Sequence, residues 1–275
     1  MNCIVCNNNN FIKESNFTQT CVVCKLEIAN LKNRFGAEVK GIYELRNKNF
    51  QRIISKILTI KQKPNILEIG SGDGMFVYML LNKKINIKGI EPDQSNFRKK
   101  FLKKFIIKDQ FPLKNKKKNW RGFFDFIVFN DSLEHFKNSE LKNVIFQSEK
   151  FLRKNGYLII NMPTSDGKLY KFSKFLYKLN ITSFFERMWQ KNFSSPHQLY
   201  FNEKNLTKLL KVFKFKRVYS GYLKVVDNKG LYQRIEASHK SFIIKNILFI
   251  IIYFLSPIIN YFSKDINFLI FKLKS

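Results

Sequence analysis

Hydrophobic positions along this 275-residue chain change period several times. Leu31, Phe35, Val39, Ile42, Phe50, Ile53 and Ile57 keep near-helical spacing, interrupted by Arg46, and predict one or two helices ahead of Pro64. Short apolar runs follow at 66–69, 85–90, 105–107, 123–130 and 157–161. They alternate with helix-like stretches at 75–81 and about 139–152, the latter closed by the turn signal Lys154-Asn155-Gly156. Strands alternating with helices predict a mainly parallel sheet in an α/β fold. Beyond Pro163 come an aromatic-rich stretch reaching Pro196, a helix over Glu203–Val212, and two further apolar runs at 215–226 and 266–273. There is no internal repeat.

The chemistry concentrates where the first of these strands ends. Glu68 lies two residues before Gly70, and Gly70, Gly72 and Gly74 alternate with Ser71 and Asp73 before the helix at 75–81. Glycines permit a tight turn and close approach of backbone to a ligand, and the helix start adds free N–H groups. Seventeen residues after Gly74 the second strand ends in Glu91, about the spacing at which a carboxylate meets a ribose diol in a nucleotide-binding βαβ unit. The dinucleotide fingerprint wants small residues at its first, third and sixth positions; here the third glycine is at the fifth and the sixth is Met75. Glu68 would also repel a pyrophosphate and suits a ligand bearing positive charge.

This pattern resembles motif I of the class I S-adenosylmethionine-dependent methyltransferases, whose ligand carries an ammonium and a sulfonium. Later blocks follow that family's order: Glu91 as the ribose acid, Asp109 as the acid near adenine, 123–130 as the fourth strand ending in Asn130, and 157–161 as the fifth. The resemblance covers about residues 35–275. It implies a Rossmann-like α/β fold, a seven-stranded mostly parallel sheet with an antiparallel last strand formed from 215–226 and 266–273. It also implies that S-adenosylmethionine is held by Glu68, Gly70, Ser71, Gly72, Asp73, Gly74, Glu91, Pro92, Asp109 and Asn130. Asp73 has a second reading as a cap of the following helix, and Asp109 as a turn residue.

A hydroxyl acceptor loses a proton as it is methylated, so a base within hydrogen-bond reach would serve it. His135 lies just after the fourth strand in Asp131-x-x-Glu134-His135, and His197 lies in Ser195-Pro196-His197-Gln198-Leu199-Tyr200-Phe201. Both blocks resemble the subgroup that includes ubiquinone-biosynthesis O-methyltransferases and enzymes of surface-glycan clusters, which places both histidines near the acceptor as catalytic candidates. The alternative is a structural role in capping a helix or fixing a loop. Some relatives bind a divalent ion through Glu-x-x-Glu-His; the counterpart here is Asp131, Glu134 and His135, a set suited to Mg²⁺ or Mn²⁺. His239, in a polar stretch, reads as a surface residue.

All four cysteines fall in the first 24 residues, as Cys3-x-x-Cys6 and Cys21-x-x-Cys24. Two such pairs can supply four thiolates to one structural Zn²⁺, with disulfides as the alternative. Nothing at the N-terminus resembles a secretory signal, which favours reduced thiols and a cytoplasmic protein. Residues 1–30 are thus expected to form a zinc-ribbon-like module, with a hairpin between the knuckles. Residues 31–275 would form the methyltransferase domain, with 164–196 inserted as a cap over the acceptor or as packing over the sheet.

Fifty basic residues against 20 acidic ones give a formal charge of +30, drawing polyanions such as nucleic acid or anionic headgroups. The other reading is compositional, since Lys, Asn, Ile and Phe are all abundant; the run 114–118 is then a solvated loop. Residues 246–263 carry no charge, which is marginal for a spanning helix. If 266–273 is the last strand of the sheet, the chain must return to the same side, so an in-plane helix over 239–263, flanked by Lys240, Lys245 and Lys264, fits better. A buried or dimer-forming helix is the other possibility. No cysteine follows Cys24 for cytosine C5 chemistry, and Asn130-Asp131-Ser132-Leu133 lacks the Pro-Pro-aromatic loop of adenine N-methylation, which argues against a nucleic-acid base as the acceptor. The leading expectation is O-methylation of a sugar hydroxyl in surface-glycan synthesis, at the inner membrane face if the acceptor is lipid-linked. A quinone or lipid-phenol acceptor and a silent scaffold are the alternatives.

Overall fold

A computed structural model describes residues 2–32, 40–114, 118–236 and 241–274. The expectations placed on Phe35, Val39, Lys116, Lys117, His239 and Lys240 lie outside the described residues.

The strand β7 (Phe124–Asn130) is buried at all seven positions, as expected of a strand with parallel neighbours and helices on both faces. Around it a seven-stranded sheet forms in the order β10-β11-β8-β7-β4-β5-β6. Its members are β4 (Asn65–Ile69), β5 (Asn86–Ile90), β6 (Ile106–Ile107), β8 (Leu152–Pro163), β10 (Phe215–Leu223) and β11 (Ile266–Leu273). Only β11 runs against the rest: it is antiparallel to both β8 and β10, whereas the β4, β5, β6, β7 and β8 pairings are parallel. The expected fold, including the antiparallel last strand, is therefore present.

Period-two alternation along the central strands sorts side chains to two cores. Phe126, Val128, Ile159, Phe268 and Ile270 face the core shared with α1 (Tyr43–Ile60) and α2 (Met75–Asn82). Ile127, Phe129, Ile160, Leu269 and Phe271 face the core shared with α3 (Leu141–Phe151) and α6 (Glu203–Val212). One continuous helix, α1, precedes the sheet in the described residues, and its buried positions Leu45, Asn49, Phe50, Ile53, Ile54 and Ile57 form one face despite Arg46. Asn202 caps α6 reciprocally with Asn205. The turn expected at 154–156 is instead an irregularity within β8, where Asn155 has φ of 60° and the pairing to β7 shifts register.

The N-terminal residues build a small antiparallel sheet from β1 (Phe11–Lys13), β2 (Thr18–Cys21) and β3 (Glu27–Ala29), completed by β9 (Leu199–Tyr200) from far along the chain. This sheet packs on the α6 side: Cys3, Val5, Cys21, Leu26 and Ile28 share the core of Leu206 and Leu209. The insertion after β8 contributes α4 (Lys168–Lys178) and α5 (Ser183–Met188). Its Tyr170, Phe185 and Trp189 bury against Ala29 and Tyr200, with Phe17 of the N-terminal residues packed on them. The buried Glu27 carboxylate accepts from the Tyr170 hydroxyl at 2.7 Å and pairs with Lys174 at 3.2 Å.

Between β10 and β11 lie α7 (Leu231–Glu236) and the 21-residue helix α8 (Phe242–Phe262), which runs through Pro257. Of the residues of α8 only Ser256 is buried.

Candidate active site

The carboxyl ends of β4, β5 and β7 converge on the glycine loop. Gly70, Gly72 and Gly74 all have positive φ, at 76°, 52° and 79°. Two are enforced by packing: a Cβ on Gly70 would stand 2.7 Å from the Ser132 Cβ, and one on Gly74 2.7 Å from Leu102. Gly72 differs, since nothing lies within 4 Å of the space its Cβ would take. That open position is the floor of a cradle, with the backbone exposed to whatever lies above it.

Glu68 is buried, 1% exposed, and its Oε1 accepts from Asn130 Nδ2 at 2.6 Å. Asn161 Nδ2 donates in turn to Asn130 Oδ1 at 2.8 Å, which fixes the amide. Glu68 Oε2 has no partner among the described residues, and burial pushes the carboxyl up to about 8. An orphaned buried carboxylate oxygen beside an open glycine floor is completed by a cationic hydrogen-bond donor, so the residues fit an ammonium-bearing nucleoside.

Glu91 stands across the loop. Its Oε2 accepts from the Gly72 amide at 2.7 Å and its Oε1 from Asp93 at 3.0 Å, while burial raises its pKa. Each oxygen keeps a second lone pair for a diol. Pro92 follows on the surface, and Ser71 is buried with its amide bonded to Ile90 O at 3.1 Å. Asp73 is occupied otherwise: Oδ1 accepts from Met75 N at 3.0 Å at the start of α2, and Oδ2 pairs with Arg98 at 2.6 Å. Asp109 Oδ1 accepts from the next amide, Gln110 N, at 2.8 Å. Asp73 thus holds the backbone just ahead of α2, whose N-cap position is Gly74 with no side-chain cap bond, and Asp109 makes only a contact with its neighbour.

The histidines gather beside this cradle. Ser132, which touches Gly70, donates from Oγ to Ile69 O at 2.6 Å, and His135 follows three residues later. His197 arrives from the end of the insertion, its ring 4.9 Å from that of His135. His135 Nδ1 lies 3.2 Å from the Pro196 carbonyl and 3.2 Å from Ser195 Oγ. A carbonyl only accepts, so Nδ1 carries the proton, and in the neutral ring Nε2 holds the lone pair. Burial lowers the His135 pKa, and burial followed by the nearby His135 charge lowers that of His197 well below the usual range. Both rings are therefore neutral near pH 7.

Glu134 is fully buried, with neither carboxyl oxygen bonded among the described residues. Burial, and then the Asp131 charge, push its pKa well up. Its Oε1 is 4.0 Å from His197 Nε2. Glu134, His135 and His197 offer ligand atoms within 4.8 Å of one another; Asp131 is outside this group. The sequence spacing pointed to Asp131 instead, but Asp131 sits at φ of 47°, in the turn ahead of the short helix Leu133–His135 that carries the other two. Two imidazoles and one carboxylate suit Mn²⁺, Fe²⁺ or Zn²⁺ better than Mg²⁺, which prefers oxygen ligands.

The segment bearing His197 is held by the N-terminal sheet. Ala29 N donates to Gln198 O at 2.8 Å, Gln198 Nε2 to Leu31 O at 2.8 Å, and Gln198 N to Glu134 O at 2.8 Å. Sequence reasoning missed this link, because it joins residues more than 160 positions apart. At the far end of that sheet the four thiols meet: Cys3 and Cys24 Sγ are 3.4 Å apart, Cys6 and Cys21 3.5 Å, and all four lie within 4.8 Å. These distances exceed an S–S bond and approach the roughly 3.8 Å edge of a tetrahedron with 2.3 Å metal–sulfur bonds. Each pair is followed by a left-handed residue, Asn7 or Lys25, which turns the knuckle.

Comparison with known proteins agrees with this geometry. A family described as "Methyltransferase domain" matches residues 42–220. The chain is 27% identical over 177 residues to the ribosomal RNA small subunit methyltransferase A of Mycoplasma mobile, covering 62% of this chain and 67% of that one. It resembles the structure of a phosphoethanolamine N-methyltransferase from Haemonchus contortus in complex with S-adenosyl-L-methionine, with TM-score 0.55 and 14% identity over 83% of this chain and 53% of that chain. A SAM-dependent methyltransferase from Archaeoglobus fulgidus gives TM-score 0.51 and 16% identity over 84% and 97% of the two chains. Structural likeness at such identities speaks for the fold, and the family match supplies the membership. Taken with the strand order and the cradle at the end of β4, that match makes this chain a member of the methyltransferase-domain family.

Proposed function

We propose that this protein is an S-adenosylmethionine-dependent O-methyltransferase acting on a sugar hydroxyl in bacterial surface-glycan synthesis. The observation that carries the donor half is the unpartnered Glu68 Oε2 beside the open Gly72 floor, facing Glu91 across the loop. When bound, S-adenosylmethionine supplies an electrophilic methyl on a good leaving group. Glu68 would hold its ammonium, Glu91 its ribose hydroxyls, and the Gly70–Gly74 backbone would let it approach.

The acceptor half rests on His135. Its Nδ1–H is anchored to the Pro196 carbonyl, so Nε2 is the basic atom and the ring is neutral. His135 Nε2 would accept the proton of the acceptor hydroxyl, while the donor would supply the methyl and leave as the neutral thioether. His197 and the insertion shape the acceptor side. Four reduced thiols at near-tetrahedral separations support a structural Zn²⁺ that closes the N-terminal sheet, with no coordination position left for chemistry.

Labelled-methyl transfer to host extract, fractionated into sugar nucleotides, glycolipids, quinones and RNA, tests the acceptor. Label in the sugar fractions is expected; label in quinones alone supports a lipid-phenol acceptor, and label in RNA overturns the reading. His135→Gln should lower turnover about 10²–10⁴-fold while leaving donor affinity unchanged by calorimetry. Unchanged turnover would remove His135 from the chemistry.

A further inference from the structure

The apolar helix α8 has one face held by the protein and another left uncovered by the described residues. On the held side, Leu248, Phe249, Ile252 and Ile259 pack against Val225, Val226, Leu231 and Ile235. Asn260 bonds the chain leaving β10, accepting from Val225 N at 2.9 Å and Val226 N at 3.1 Å and donating to Val226 O at 2.9 Å. At its other end Lys245 pairs with Glu236 of α7 at 3.2 Å. A helix of this length is about 31 Å long and is strapped along most of it. On the open side, Phe242, Ile250, Phe254 and Tyr261 are 71%, 55%, 74% and 77% exposed. Soluble monomers rarely leave so long an apolar strip in water.

Topology decides how such a helix can meet lipid. The chain leaves β10 at Leu223 and re-enters the sheet at Ile266, and these two residues are paired across the strands. Both ends of the connection therefore lie at one edge of one sheet. A span across the bilayer would draw the strapped face, with Asp227 and Lys48, into hydrocarbon, where charges are costly. A helix lying in the plane buries only its open face.

Charge names the partner. Beside the C-terminal half of α8 is a cavity of about 580 Å³ lined by Lys48, Arg52, Lys224 and Lys229 together with Tyr261. Its one carboxylate, Asp227, pairs with Lys48 at 2.5 Å, which leaves Arg52, Lys224 and Lys229 as excess positive charge. Arg52 Nη1 donates to Tyr222 O at 2.7 Å. An apolar strip bordered by a basic hollow matches an acyl layer bordered by phosphate.

We infer that α8 docks in the plane of an anionic phospholipid leaflet, its open face among the upper acyl chains and the Arg52–Lys224–Lys229 hollow over lipid phosphates. A smaller cavity of about 190 Å³ is lined jointly by Phe184 and Arg187 of α5 and Leu248 and Ile252 of α8, so the insertion lies beside the docked helix. The docking stands apart from the identity of the acceptor.

The test is flotation of the full-length protein with vesicles of phosphatidylcholine alone and with one-third phosphatidylglycerol, at low and high salt. Flotation is expected with the anionic vesicles. It should weaken roughly twenty-fold in Lys224→Gln/Lys229→Gln, at about fivefold per basic group, and fall to background in Ile250→Gln/Phe254→Gln. Calorimetry with S-adenosylmethionine should be unchanged in both variants, which separates loss of docking from loss of fold or of the donor site. Equal flotation with neutral vesicles, or none, overturns the inference. So does retention after alkaline carbonate, which marks a span, or a dimer that Phe254→Gln dissociates without any flotation, which marks a second copy as the partner.

Discussion

Glu68 is buried with one oxygen bonded to Asn130 and the other without a partner among the described residues, and burial pushes its carboxyl up to about 8, so it holds a proton at pH 7. A cation placed against it lowers that pKa and drives the proton off. Binding of S-adenosylmethionine at pH 7 should therefore release close to one proton, read by calorimetry in buffers of different ionisation enthalpy, and Glu68→Gln should abolish the release. Gly72 tests the floor of the same cradle. Its φ of 52° strains any side chain, and no described protein atom lies within 4 Å of the space a Cβ would take. Gly72→Asp should leave the melting temperature within a few degrees and remove measurable donor binding, since it sets a carboxylate where the ligand lies.

Among the elements, the pairing of β3 with β9 ties the cysteine sheet to the segment carrying His197. β9 begins two residues after His197, and Gln198 bonds to Ala29, Leu31 and Glu134. Weakening the four-thiol cluster should thus reach His197 more directly than the glycine loop, whose Gly70, Ser71 and Gly72 amides bond to Ile90 and Glu91. Cys21→Ser, or a chelator that removes the proposed Zn²⁺, should expose residues 1–30 to limited proteolysis and depress methyl transfer about tenfold. Donor affinity should change less than threefold. Equal loss of both would mean that the cluster supports the whole fold.

At the level of the whole molecule, the open face of α8 and a formal charge of +30 act together. Charge keeps copies apart at low salt, and screening removes that protection while the apolar strip remains. Without detergent or lipid, sedimentation should show self-association rising with salt, and Ile250→Gln/Phe254→Gln should suppress it. Association independent of that pair would place the sticky surface elsewhere.

How much of this could be read from the chain alone depends on the range of the interaction. The glycine loop, Glu68, Glu91, the alternating strands and helices, and the bounds of α6 and β11 all follow from local pattern: period two, period 3.6, and backbone freedom at fixed positions. The two Cys-x-x-Cys pairs likewise carry their own spacing. Tertiary structure alone decided the rest. His197 joins Glu134 and His135 because β9 pairs with β3, a contact no local pattern encodes. Aromatic residues of the insertion turn to the cysteine sheet because Ala29 and Tyr200 offer a core there. Nor does the composition of α8 reveal which of its sides stays bare; that is set by Asn260 and the packing of α7, which fasten one face and leave the other to water or lipid.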